Sequence, residues 1–147
     1  MMRKLLFLLA FAFAAMLQAA DFVTESRWIT ASEGDVNAQN TWIAFRKDIT
    51  LGSIPMKVEA SIAAASKYWL WINGEMVVFE GQLKRGPTPK DTYYDKVDIT
   101  PFLKKGNNEV AVLLWYFGKS GFSHNSSGKS GLLFSAQAIG LYTDSQW

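Results

Sequence analysis

The sequence contains no cysteine and a single histidine, His124. The first absence excludes a disulfide framework, a thiolate zinc site, a cysteine nucleophile and an acylated lipoprotein cysteine. The second excludes a metal site built from several histidines. Charge of one sign is also missing. The formal net charge is +2, but the first twenty residues hold Arg3, Lys4 and no acid, so a chain from Asp21 carries thirteen bases and thirteen acids. That balance argues against a basic nucleic-acid surface and against an electrostatic membrane binder. No internal repeat and no low-complexity linker is present. The one long apolar run, Leu5 to Met16, has twelve residues, and a bilayer span needs about twenty. Basic residues precede this run and Ala19-Ala20 follows it, which is the layout of a signal peptide. Cleavage is expected after Ala19 or Ala20; a buried N-terminal helix is the plain alternative. The expected organisation is a signal peptide over 1–20 and a single domain over 21–147, exported to the periplasm or beyond. Roughly 127 residues then remain, enough for a packed core without staples. Aromatic residues are abundant: six Trp, five Tyr and ten Phe.

The mature part reads as strands. Met56 to Ile62 alternates apolar and polar, predicting a strand with one wet face. Ile43, Phe45, Ile49 and Leu51 share a parity and predict another. Tyr68-Trp69-Leu70-Trp71-Ile72 and Glu75-Met76-Val77-Val78-Phe79 flank Asn73-Gly74, a pair that accepts positive φ at both central positions of a type I′ hairpin. Tyr93 to Ile99 is a further short strand. Thr100-Pro101-Phe102-Leu103 predicts one helical turn with Thr100 as its N-cap. Gly106-Asn107-Asn108 turns the chain. Glu109 to Phe117 is nearly all apolar and predicts a central strand buried on both faces. Residues 118–130 form a Gly/Ser/Asn loop, and Gly131 to Ala138 is the last clear strand. Seven or eight strands with short turns and no helical period indicate an all-β antiparallel sandwich.

Three segments occur in a recognisable order. Tyr68-Trp69-Leu70-Trp71-Ile72-Asn73-Gly74-Glu75 comes first, then Tyr93-Tyr94-Asp95-Lys96-Val97-Asp98-Ile99-Thr100-Pro101-Phe102-Leu103, then Lys105-Gly106-Asn107-Asn108-Glu109-Val110-Ala111-Val112. This series resembles the jelly-roll accessory domains of multidomain glycoside hydrolases. Those are similar to the galactose-binding-like fold and to the sugar-binding domain of the β-galactosidase family. The N-terminal β-sandwich of bacterial α-L-rhamnosidases is a closer resemblance, supported by Trp28-Ile29-Thr30 and by Trp115-Tyr116-Phe117-Gly118-Lys119. It extends over residues 26–147. The resemblance implies a carbohydrate-binding or supporting role beside a downstream catalytic α/α barrel, whose paired acids have no counterpart in this sequence. It also implies a longer parent, because a similar Asp-Ser-x-Trp stretch leads onward into more protein in that family. Some related rhamnose-binding modules use calcium; no Asp/Asn cluster with oxygen-ligand spacing stands out here.

Glycoside hydrolysis needs two carboxylates about 5–9.5 Å apart across a sugar. Asp48, Glu59, Glu75, Asp95 and Asp98 fall on strands or turns, where solvated faces are expected, and Asp98 is placed to cap the Thr100 turn. Glu80 alone sits beside an apolar strand end and a Gly. His124 lies in a Gly/Ser loop without a G-x-S-x-G elbow, and Asn125-Ser126-Ser127 matches a glycosylation sequon. Sugar C–H faces pack on aromatic rings, which makes Trp69, Trp71, Tyr93, Tyr94, Trp115 and Tyr116 candidate platforms. Trp69 and Trp71 share one strand face, which is either core, interdomain contact or lectin-like surface. Loops at one end of a sandwich commonly carry the site. The expected ligand-binding set is therefore Arg85 on loop 81–89, Lys119, His124 and Asn125 on loop 118–130, and the candidate rings Tyr93, Tyr94, Trp115 and Tyr116. Two function classes remain: a carbohydrate-binding accessory sandwich, with exposed rings at a concave loop end, and a purely structural interdomain module, with those rings in one flat apolar patch. A hydrolase acting alone ranks behind both.

Overall fold

Alternating apolar side chains at 43, 45, 49 and 51 drive Thr41–Leu51 into an extended strand, β1. A computed structural model describes residues 21–84, 92–122 and 124–147 of the chain; the expected signal segment lies outside them. Seven further strands follow: β2 (Glu59–Ala65), β3 (Lys67–Ile72), β4 (Glu75–Gln82), β5 (Asp95–Asp98), β6 (Gly106–Tyr116), β7 (Gly131–Ala136) and β8 (Leu141–Tyr142). They form two four-stranded antiparallel sheets, ordered β1-β6-β3-β4 and β5-β2-β7-β8. Phe45, Tyr68, Leu70, Ile72, Val112 and Leu114 from the first sheet pack with Ile62, Leu132, Phe134 and Leu141 from the second. No helix among the described residues is long and apolar enough to cross a membrane.

The β3–β4 hairpin turns at Asn73 (φ 53°) and Gly74 (φ 82°), both left-handed as expected. Asn73 does more than turn the chain. Its Nδ2 donates to the Phe102 carbonyl at 2.8 Å and to Asn108 Oδ1 at 2.9 Å, and its Oδ1 accepts the Glu109 N–H at 3.2 Å. Asn108 is buried. Its Oδ1 also accepts the Lys104 N–H at 2.9 Å, and its Nδ2 donates to the carbonyls of Lys104 (2.7 Å) and Gly106 (3.0 Å). The two asparagines thus bolt the hairpin tip to the 102–109 turn. This is the physical content of two of the three sequence segments.

Several expectations are corrected. The strand predicted over Met56 to Ile62 begins three residues later, and Ala60 to Ala64 are buried on both faces. Small side chains at Ser61 and Ala63 leave room for residues 21–23 to cross the outer face. There the Val23 N–H reaches Ser135 Oγ on β7 at 3.4 Å, and Asp21 pairs with Lys96 on β5. Strand β6 is central, but only one of its faces is fully buried; Ala111, Leu113 and Trp115 are half-buried. The strand predicted over 93–99 shortens to Asp95–Asp98, and the last one ends at Ala136, where a 3₁₀ turn (Gln137–Ile139) begins.

The 3₁₀ turn Thr100–Phe102 has Ile99, not Thr100, at its N-cap. Asp98 performs the capping instead: its Oδ1 accepts from Thr100 Oγ1 at 2.6 Å and from the Thr100 N–H at 3.0 Å. These two bonds, the hydroxyl first, hold the Asp98 carboxyl below the usual carboxylate range. A depressed folded pKa adds stability above the unfolded value of about 4 and loses it as pH falls through the folded one. The stability difference between wild type and Asp98→Asn is therefore expected to be constant above about pH 5 and to shrink below about pH 4. Chemical denaturation at both ends of that window checks it; a gap that widens with acid would refute the assignment.

Candidate functional site

One end of the sandwich is shaped by an unusual run at the close of β4. Glu80 (φ 56°), Gln82 (φ 57°) and Leu83 (φ 40°) are all left-handed, a region that non-glycine residues avoid. Gly81 between them is required by space, because a Cβ there would lie 2.3 Å from the Tyr68 ring. The run is held by Asp95, which sits on the other sheet. Asp95 Oδ2 accepts from Tyr68 Oη at 3.0 Å and from the Gln82 N–H at 2.7 Å, while Oδ1 pairs with Lys84 Nζ at 2.9 Å. Burial first, then the Asp95 charge, pushes the Tyr68 phenol upward, so it remains a donor. Asp95 is thus a cross-sheet tie rather than a solvated strand residue. Glu80 pairs with Lys67 at 2.8 Å.

This tie brings Gln82 and Leu83 to a cavity of about 340 Å³. The end of β2 (Ala64, Ala65) and Ser66 line it, with Leu83 and Thr92. Loop 118–130 contributes His124, Asn125, Ser127, Lys129 and Ser130. Trp28 closes the wall; it is 49% exposed, and its ring rests on Gly131, where a Cβ would come within 3.0 Å of it. The Gln82 amide oxygen accepts the Ala64 N–H, which leaves its NH₂ as a donor. The His124 Nε2–H donates to the Lys119 carbonyl at 3.0 Å. An aromatic ring, two planar amides, hydroxyls and a cation surround one concave space, and no carboxylate belongs to the described lining.

The residues proposed from sequence are dispersed. His124 and Asn125 line the cavity. Lys119 supplies the carbonyl that orients His124. Tyr93 is exposed, with Lys84 Nζ 5.8 Å from its ring centre. Tyr94 packs edge-on against Phe22 at 5.3 Å and bonds Asp21, so it anchors the N-terminal segment. Tyr116 faces inward and is buried. Trp115 lies on the outer face of the first sheet, its Nε1–H bonded to Asn40 at 2.7 Å. Arg85 lies outside the described residues. Trp28, Gln82 and Lys129 did not stand out from sequence as ligand-binding residues. Trp28 reaches the site through a partner 103 positions away, and no local pattern announces such a contact.

Tyr68, Leu70 and Ile72 form the core face of β3, so Trp69 and Trp71 point outward. There Trp42 stacks on Trp115 (centroids 4.8 Å, 8° between planes) and on Trp69 (5.5 Å, 30°). Phe117 and Phe79 meet the outer members edge-on at 4.6 and 6.3 Å. Trp42 and Phe79 remain 48% and 70% exposed. These rings spend their faces on one another and present edges, an arrangement suited to protein contact and poorly suited to stacking a sugar. Trp42→Ala is expected to abolish the exciton couplet of the stacked indoles in circular dichroism and to cost about 1–2 kcal/mol. A retained couplet would refute the stack. Among the described residues no three His, Cys, Asp or Glu side chains are gathered as a metal-holding group.

No family model matches the sequence, and no curated protein matches it. Solved structures do. A rhamnosidase of glycoside hydrolase family 78 from Bacillus sp. GL1 is 30% identical over 84% of this chain, with a TM-score of 0.69. The α-L-rhamnosidase of Aspergillus terreus (23% identity, 80% of this chain, TM-score 0.55) shares the fold, as does that of Streptomyces avermitilis, solved with L-rhamnose (20%, 83%, 0.58). The chain spans only 12%, 15% and 12% of their respective lengths. In sequence and in fold, this chain is similar to a β-sandwich portion of the α-L-rhamnosidases.

Proposed function

We propose that the chain is a non-catalytic accessory β-sandwich of an α-L-rhamnosidase-like glycoside hydrolase. Its position is N-terminal to a catalytic barrel, its destination is outside the cytoplasm, and its loop-end cavity binds carbohydrate. The observation that carries the reading is the 30% identity over 84% of this chain against 12% of the larger rhamnosidase. The cavity supports the binding half. Trp28 offers a ring face, while Gln82, Asn125 and Ser130 surround it with planar and hydroxyl groups for sugar hydroxyls. Two-carboxylate hydrolysis has no groups in the described lining.

The stacked tryptophan strip favours a second reading, in which the sandwich supports the remainder of the parent enzyme and takes no ligand. Titration with L-rhamnose, followed by NMR on the Trp28 indole N–H, separates the two. A saturable shift at Trp28 supports the binding reading; no shift supports the structural one. Turnover of an aryl α-L-rhamnoside by the purified chain would overturn both.

A further inference from the structure

The cavity lining is graded. Ala64 is buried and Ala65 and Leu83 are half-buried, whereas Asn125, Ser127 and Lys129 are exposed. Many polar groups of the sheltered part are already bonded within the chain. Ser66 Oγ accepts the Phe117 N–H at 3.2 Å, the Ser66 N–H donates to the Trp115 carbonyl at 3.2 Å, and the Ser66 carbonyl accepts the Leu83 N–H at 3.3 Å. The Ala64 N–H is taken by the Gln82 amide oxygen, and the His124 Nε2–H by the Lys119 carbonyl. The His124 ring is fixed in turn, edge-on to Phe117 at 5.1 Å. The volume of about 340 Å³ is roughly twice that of an apolar cavity of about 150 Å³, which already holds benzene.

A sugar ring pressed into the sheltered part would bury its hydroxyls against groups whose bonds are made, and a buried hydroxyl without a partner is costly. A flat aromatic group carries no such demand; it gains by leaving water and by stacking on the Trp28 face. We infer that the cavity takes the apolar aglycone of a glycoside, a two-ring aromatic group in the first instance. The attached sugar turns outward, to the Gln82 NH₂, the Asn125 amide and the Ser130 hydroxyl. The proposal rests on the carbohydrate reading above and adds the other half of the ligand. A mostly apolar recess with a few placed polar groups is the usual form of a small-molecule site.

The test compares 2-naphthyl α-L-rhamnoside, methyl α-L-rhamnoside and 2-naphthol on the purified chain, by calorimetry and by NMR. The naphthyl glycoside is expected to bind at least about tenfold more tightly than either of the others. Its naphthyl protons should show nuclear Overhauser contacts to the Ala65 methyl and the Trp28 ring. Leu83→Asn should erase most of the advantage over the methyl glycoside, and asparagine accepts the left-handed φ of 40° at that position. Equal binding of the two glycosides, or sugar protons making those contacts in place of the naphthyl ones, overturns the inference and leaves the carbohydrate reading standing. Naphthol binding as tightly as its glycoside overturns it in favour of a plain apolar cavity. Silence from all three probes removes both readings together.

Discussion

Asn108→Ala is expected to lower stability by about 3–4 kcal/mol, the largest effect of any polar substitution considered. The side chain is buried and makes four hydrogen bonds, with Asn73, Gly106 and twice with Lys104. Each such bond contributes about 1 kcal/mol net, and more where truncation strands a partner away from water. The loss propagates because Asn73 positions the hairpin tip through the same network. Asn108→Asp should be nearly as costly, since a carboxylate cannot donate to the two carbonyls. Asn107→Ala is the control: its neighbouring side chain is exposed and bonds only Thr50, at 2.8 Å, among the described partners. Urea denaturation of the three variants decides the matter. Equal stability of Asn107→Ala and Asn108→Ala would falsify the bolt.

Trp28→Ala is expected to weaken saccharide binding by tenfold to a hundredfold, with little change in fold. Truncating a central aromatic anchor typically costs about 2 kcal/mol of binding or more, and here the indole is the one Trp, Tyr or Phe ring in the described cavity lining. Half of it already meets water, so its removal exposes little new apolar surface. Trp28→Phe should recover part of the affinity, because a smaller ring still offers a face. Gln82→Ala is a weaker comparison, since that side chain also satisfies the Ala64 N–H. Calorimetry with the strongest-binding sugar checks the order wild type, Phe, Ala. Unchanged affinity in Trp28→Ala would detach the cavity from carbohydrate recognition and shift the weight of the argument to the tryptophan strip.

Which parts of this molecule were legible in sequence follows from the range of the interactions involved. Strand β1, the Asn73-Gly74 hairpin and the Asp98–Thr100 cap are set by neighbours within a few residues, and alternation or turn chemistry reports them directly. The boundaries of β2 were misread because its burial on both faces depends on a distant segment, residues 21–23, lying across it. The buried second face expected for β6 is instead a half-buried one, Ala111, Leu113 and Trp115, with Trp115 stacked on Trp42 of β1. Apolar character alone cannot distinguish a covered sheet face from one held open by stacked rings.

The absence of cysteine, the single histidine and the neutral charge after residue 20 narrowed the chemistry before any fold was considered. The ordered segments around Asn73, Asp98 and Asn108 pointed to the sandwich by resemblance; the structure supplies their reason, a local cap at Asp98 and hydrogen bonds from Asn73 to partners 29 and 35 positions away. The site was a tertiary decision. Trp28, Gln82 and His124 are separated by dozens of residues and meet only because Gly131 admits an indole, Gly81 admits the Tyr68 ring and Asp95 ties one sheet to the other.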